Sequence, residues 1–325
     1  ITGVFKGADT LTDMINSGGY HVLPTIDCYL GMEMGIINKS FMMDMRTQLA
    51  PDEYIRQMLC KNISSRNLIW EKYIRRSMQV GLDSGLQMAG PLPGHFYKKL
   101  GLIGFGYDAG GHGENPTSSR HALVVTEQIG NFVTFPYVRT WPPGADDQVV
   151  KRDLLGLWQY FNPDYAMGDA YGVGMLTQLN DELYAEGLTH IDRRTIGDGD
   201  STASTWPEWP FSPIRFEGMV KHSMAQAVRS IFHNRKAAIP YFDDQDLNDP
   251  ELLDFRLFLA QLANIIPVQT KTSYASYKQA NTKVGDDLFD AAMASVWALA
   301  TRGACSVQTT VLTTQKTRQQ LLGAA

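Results

Sequence analysis

Five aspartates carry the most informative pattern in this chain. Asp108 ends the run Gly104-Phe-Gly-Tyr, Asp169 ends Tyr165-Ala-Met-Gly, and Asp286, Asp287 and Asp290 open a long apolar stretch as Asp-Asp-Leu-Phe-Asp-Ala-Ala. On a helix, residues three and four apart share a face, so Asp290 lies on one face with Asp286 and with Asp287. Carboxylates gathered in one place repel each other unless a cation lies between them. Hard oxygen donors with few His or Cys beside them select Mg²⁺ or Mn²⁺. Two such ions about 3.5–4 Å apart activate a water and stabilise the leaving oxygen in phosphodiester hydrolysis. Each acid alone has a plainer reading: a cap or dipole partner for Asp286, a turn residue for Asp108, a ribose contact for Asp169. The combination and its order favour the metal.

That chemistry needs elements that deliver the acids to one place. Short apolar runs at residues 100–107, 121–126, 131–139 and 164–168 read as strands, and Pro136 marks an edge or an end in the third. Helical spacing covers 146–161, 172–186, 216–234, 252–264 and 286–301, with two further strands at 265–270 and 274–277. After Asp290 the last helix is almost all apolar or small, so it should be buried on most sides. Strands interleaved with helices in this order predict an α/β fold, a mixed sheet with helices on both faces. A helical segment precedes it. Residues 1–95 are Met-rich, with short helices expected at 40–48 and 51–62, and Gly90-Pro91-Leu92-Pro93-Gly94 is the clearest break. The division is thus 1–95, 96–306, and a polar, mobile tail at 307–325. A start at Ile1 suggests a processed product or a piece of a longer chain.

Composition narrows the classes. With 29 Lys+Arg against 34 Asp+Glu, the net charge of −5 excludes a uniformly basic nucleic-acid binder but allows a local basic groove. No stretch is long and apolar enough to span a membrane. Cys28, Cys60 and Cys305, odd in number and widely spaced, argue against a disulfide framework or a zinc ribbon and suit a reducing compartment. The best local excess of positive charge is Lys221, His222, Arg229, His233, Arg235 and Lys236 against Glu217. Of these, Lys221, Arg229, Arg235 and Lys236 are the candidates for DNA phosphate contacts, and Lys221 is alternatively a partner for a site acid. His112 is a candidate auxiliary group beside Asp108. Gly104-Phe-Gly-Tyr-Asp-Ala fits a dinucleotide fingerprint on paper but lacks the helix that must follow. Asp198-Gly-Asp200-Ser lacks calcium-loop spacing and reads as a turn. Trp206 and Trp209 read as loop packing. No phosphate-cradling G-x-x-x-x-G-K-[ST] occurs.

From about residue 100 to 305 the chain resembles the C-terminal nuclease domain of the large terminase subunit of tailed bacteriophages, including the Mu-like branch. The resemblance rests on Asp108, Asp169-Ala-Tyr-Gly-Val-Gly, Lys221 within Phe216-Glu-Gly-Met-Val-Lys, and Asp286-Asp-Leu-Phe-Asp-Ala. It implies an RNase H-like mixed sheet and a two-ion site for Mg²⁺ or Mn²⁺. Asp108, Asp169, Asp287 and Asp290 would be catalytic, with Asp286 as a cap or supporting ligand. It implies cleavage of concatemeric double-stranded DNA at the procapsid portal in the host cytoplasm, with a portal protein and a small terminase subunit as partners. Asp52-Glu-Tyr-Ile-Arg-Gln-Met-Leu-Cys resembles the end of the ATPase motor that precedes such nucleases. The alternatives are a Holliday-junction resolvase or transposase on the same fold, and a non-catalytic module that grips DNA or the portal.

Overall fold

The computed structural model describes residues 26–49, 54–55, 57–60, 67–111, 113, 115, 118–189, 209–242, 250–269 and 274–302. Helices α1 (Cys28–Glu33) and α2 (Lys39–Gln48) start on Asp27 and Asn38, whose side chains accept from the first free backbone amides. With Tyr54 they enclose a small cluster around Cys28 and Met42. Helix α3 (Glu71–Ser84) ends on Gly85 in the left-handed region. Then come β1 (Leu102–Asp108), β2 (Ala122–Ile129), β3 (Phe132–Thr140), α4 (Asp147–Phe161) and β4 (Tyr165–Asp169). A 3₁₀ turn, Ala170–Gly172, leads into α5 (Val173–Ala185), followed by β5 (Phe211–Ile214), α6 (Gly218–His233) and β6 (Ala237–Ala238). Helix α7 (Pro250–Asn264), strands β7 (Ile265–Gln269) and β8 (Ala275–Gln279), and helix α8 (Asp287–Arg302) complete the described chain.

The main sheet has the order β5-β4-β1-β2-β3-β6. Strands β1, β2 and β3 run antiparallel in succession, whereas β1, β4 and β5 are mutually parallel. This is the RNase H-like mixed sheet expected from the sequence. Strands β7 and β8 lie outside it as a separate antiparallel pair. Pairing with β6 reaches only Val133 and Thr134, so Pro136 lies beyond the paired stretch, and its carbonyl accepts from Ala89 N at 2.9 Å. Helix α3 and the strands β5 and β6 went unread in the sequence. The two strands, of four and two residues, are too short to show a period, whereas α3 has a clear helical period with Ile74, Ser77 and Gly81 on its buried face.

Alternation along the strands sorts the core into two layers. Ile103, Phe105, Tyr107, Leu123 and Val125 face α4 and α5. Ala122, Val124, Val133 and Phe135 face the other way, toward α6, α7 and α8. Leu68, Ile69 and Ile74, from before the Gly90–Gly94 break, pack into this second layer.

On β1 the second layer is met by Gly104 and Gly106. A Cβ on Gly106 would lie 1.9 Å from the Ala291 carbonyl oxygen and 2.2 Å from Ser295 N. The two glycines therefore let the backbone of α8 rest directly on the strand, which explains the G-x-G without a nucleotide. Ser295 Oγ donates to the Gly104 carbonyl at 2.8 Å and meets Thr126 Oγ1 at 2.6 Å, which fixes the helix along the strand. Gly106→Ala is expected to cost at least about 3 kcal/mol, because the obstacle is backbone. Gly156→Ala, on the open side of α4 with nothing within 4 Å, should be neutral or stabilising. Urea unfolding of both variants checks this, and equal midpoints would refute the close approach.

Candidate active site

The strand that carries the glycines also carries the first acid. Gly104, Gly106 and Asp108 alternate onto one face, so Asp108 points to the side that α8 covers. Helix α8 runs back along β1, Gly104 lying against Ser295 and Gly106 against Ala291. Each step of two strand residues, about 6.6 Å, is matched by one of four helix residues, about 6 Å. The next step brings Asp108 level with Asp287, one turn before Ala291. Strand β4 is parallel to β1 with Tyr107 opposite Gly168, so Asp169 emerges beside Asp108 at the same sheet end. The three parts of the acidic motif thus meet in one pocket of about 640 Å³, lined by Asp108, Asp169, Asp286, Asp287 and Asp290 with Ser119, Tyr171 and Arg215 on its walls.

Acids at the start of a helix usually cap it. Here another residue does so. Gln261, fully buried on α7, accepts from Leu288 N at 2.7 Å and Phe289 N at 3.3 Å, and its amide donates to the Val284 carbonyl at 3.0 Å. The acids are released for other partners. Asp287 Oδ1 accepts from Ser119 Oγ at 2.8 Å and Arg120 N at 3.0 Å. Asp286 Oδ1 accepts from Gln279 at 2.5 Å. Lys221, from α6, donates to Asp290 Oδ2 at 2.7 Å. Asp169 Oδ1 accepts from Tyr171 N at 3.1 Å. Gln261→Leu should lower stability by about 2–4 kcal/mol, since it strips two buried amides and a carbonyl of their partner. An unchanged denaturation midpoint would mean that the helix end finds another cap.

Burial and mutual repulsion dominate the electrostatics. Burial raises Asp108 well above the ordinary carboxylate value, and Asp290, Asp287 and Asp169 add to it while Lys221 opposes. Burial also lifts Asp290 to about 7 against the pull of Lys221, with Asp286 and Asp287 adding to the rise. Asp169 and Asp286 are raised by burial as well. On Lys221 burial opposes the charge, but Asp290, Asp286 and Asp108 together leave its pKa above the usual lysine value.

Among the described residues no three His, Cys, Asp or Glu side chains stand ready to hold a metal ion as placed. The protein's own donors occupy Asp290 Oδ2 and Asp287 Oδ1. The other oxygen of Asp290, Oδ1, is buried without a hydrogen-bond partner. A buried acceptor left bare, beside carboxylates that repel one another, is the setting a hard divalent cation fits.

The candidate DNA contacts are spread along α6 and just past its end. Lys221 turns inward to the acids. Arg229 lies two turns on, about 12 Å along the helix axis, and Arg235 and Lys236 follow the helix end. Arg235 is exposed and left-handed at φ 61°, while Arg229 donates to Gln226 at 3.2 Å. His112 lies outside the described residues, as do the Asp198–Asp200 turn, Trp206, Cys305 and the 307–325 tail. Gln261, Ser119 and Arg215 were missed in the sequence. Nothing local marks a glutamine as the cap of a helix 27 residues away. No helix is long and apolar enough to cross a membrane among the described residues.

No family model matches the chain, and no curated protein matches it. Solved structures do. The large terminase nuclease from thermophilic phage G20c, solved with bound magnesium, is 14% identical with a TM-score of 0.46, over 72% of this chain and 98% of that one. The large terminase from a second thermophilic bacteriophage is 8% identical with a TM-score of 0.46, over 82% of this chain and 52% of its own. The HK97 bacteriophage large terminase is 12% identical with a TM-score of 0.45, over 89% and 60%. The chain spans 52% and 60% of those two whole large terminases. What it does is therefore read from its own side chains.

Proposed function

We propose that this chain is the nuclease part of a viral DNA-packaging terminase, a metal-dependent endonuclease that hydrolyses phosphodiester bonds in concatemeric double-stranded DNA. The observation that carries the reading is the meeting of Asp108, Asp169, Asp287 and Asp290 in one pocket, with a bare buried oxygen on Asp290. The order of the acidic motifs along the chain supports the viral context. Asp108, Asp169, Asp287 and Asp290 would hold Mg²⁺ or Mn²⁺, in one or two positions, with Asp286 in support. Bound there, such an ion polarises a phosphoryl oxygen and makes water a better nucleophile. The chain's own residues do the positioning. Gln261 frees the acids from capping, Ser119 and the Arg120 amide orient Asp287, and Lys221 orients Asp290. Arg215, at the rim, is placed to meet a phosphate. Arg229, Arg235 and Lys236 would contact the backbone of DNA farther from the cut.

Residues 1–95 belong in this reading to the end of an ATPase motor, with 96–306 as the nuclease domain. The portal protein and a small terminase subunit are its proposed partners, and the procapsid portal in the host cytoplasm its place of work. The test is digestion of supercoiled and linear plasmid in Mg²⁺ or Mn²⁺. Cutting that depends on the ion supports the reading. A folded protein that binds DNA yet never cuts would instead indicate a gripping module, and a strong preference for four-way junctions a resolvase.

A further inference from the structure

We propose that Tyr171 is a stacking platform for the nucleotide beside the cut phosphate, and that the strand is locally unstacked when it enters the site. This rests on the nuclease reading. Tyr171 sits on the 3₁₀ turn between Asp169 and α5, at the pocket wall, and is 74% exposed. The turn is bonded at one end and closely packed at the other. Its Tyr171 amide donates to Asp169 Oδ1, and a Cβ on the neighbouring Gly172 would lie 2.8 Å from Ala109 Cβ, next to Asp108. The ring is therefore carried at the mouth by backbone that is bonded to one site acid, Asp169, and packs close to the residue after another, Asp108. Other apolar groups share this rim: Val173 is exposed beside it, and Phe216 lines the pocket.

Charge gives the second argument. Among the described residues the pocket lining contains Asp108, Asp169, Asp286, Asp287, Asp290 and Glu217 against Arg215 as its one basic residue. Divalent ions among these acids would meet the cut phosphate itself, but with so few fixed cations on the wall the flanking backbone finds little ionic grip, which leaves room for a non-ionic contact. An exposed ring supplies it, because every base has a face that stacks regardless of sequence. In an intact duplex those faces are covered by neighbouring pairs, so the ring can engage only where the strand opens.

The experiment measures binding by fluorescence anisotropy in Ca²⁺, using a labelled duplex with a short mismatched bubble and the same duplex fully paired. Tyr171→Ala should weaken binding to the bubble by about 5- to 100-fold, equally at low and moderate salt, with little effect on the paired duplex. Tyr171→Phe should bind like wild type, since the ring face is what matters. Wild-type affinity in Tyr171→Ala, equal losses in the Phe and Ala variants, or an equal loss on both DNAs would each overturn the proposal. If such a result comes with a wild type that cuts plasmid, only the role of Tyr171 falls. A wild type that neither binds nor cuts DNA overturns the nuclease reading and this inference together.

Discussion

Asp108→Asn is expected to lower DNA cleavage on the order of 10³-fold or more while raising the melting temperature of the metal-free protein. The two effects share one cause. Asp108 lies buried at the end of β1, and burial and three neighbouring acids disfavour its charged form. Asparagine keeps the shape and removes the charge. Folding then no longer has to desolvate a carboxylate among carboxylates, a gain of about 1–3 kcal/mol, or several degrees in Tm. The charge that opposes folding is the one a divalent ion requires, so activity is lost with it. Mg²⁺ or Mn²⁺ should stabilise wild type by mass action, about 2.7 kcal/mol at one hundred times the dissociation constant, and the variant far less. Calorimetric melting with and without the ion, beside plasmid digestion, makes the comparison. A metal-free variant that melts lower than wild type would assign Asp108 a structural role, and a variant that still cuts would remove it from the site.

The second large effect concerns pH. In EDTA the protein should become more stable as pH falls from 8 to 5, against the trend of most acid-sensitive folds. Asp290 holds its proton up to about pH 7 when folded but only to about 4 when unfolded. Its contribution is therefore fully present below the unfolded value and lost as pH rises through about 7. The elevation of Asp108 acts in the same direction. Together these groups are worth on the order of 2–4 kcal/mol across the window. Lys221→Met should sharpen the effect. At pH 8 it removes the ammonium that holds the Asp290 pKa down, so the carboxyl must either stay charged and unpaired or take up a proton against the pH, a cost of about 3–5 kcal/mol. At pH 5 Asp290 is protonated and the same substitution should cost much less. Urea unfolding of both proteins at the two pH values tests this. A flat profile for wild type, or an equal cost of Lys221→Met at both, would show that Asp290 is not the desolvated group it is taken for.

Backbone period alone carried much of this architecture. Two-residue alternation assigns Gly104, Gly106 and Asp108 to one face of β1, and helical spacing puts Asp287 and Asp290 on one face of α8. Expected and observed helices agree closely, 286–301 against Asp287–Arg302. The apolar and small residues after Asp290 foretold a helix buried on most sides, and Asp108 and Asp169 were legible as the ends of strands, while the parallel pairing that sets them side by side was not. The legible features depend on residues a few positions apart.

Contacts between distant residues were not legible in that way. Local spacing left Lys221 two roles, on a basic face with Arg229, Arg235 and Lys236 or as partner of a site acid, and only packing chose the second, with Asp290, 69 residues along the chain. Desolvation by the packed helices, and repulsion among acids from three separate elements, make that inward position favourable. The same holds for Ser119 on Asp287 and for Gln261 on the amides of α8. Local period decides which side chains share a face. Which faces meet, and which polar group is left to satisfy another, is settled only when distant elements pack and exclude water.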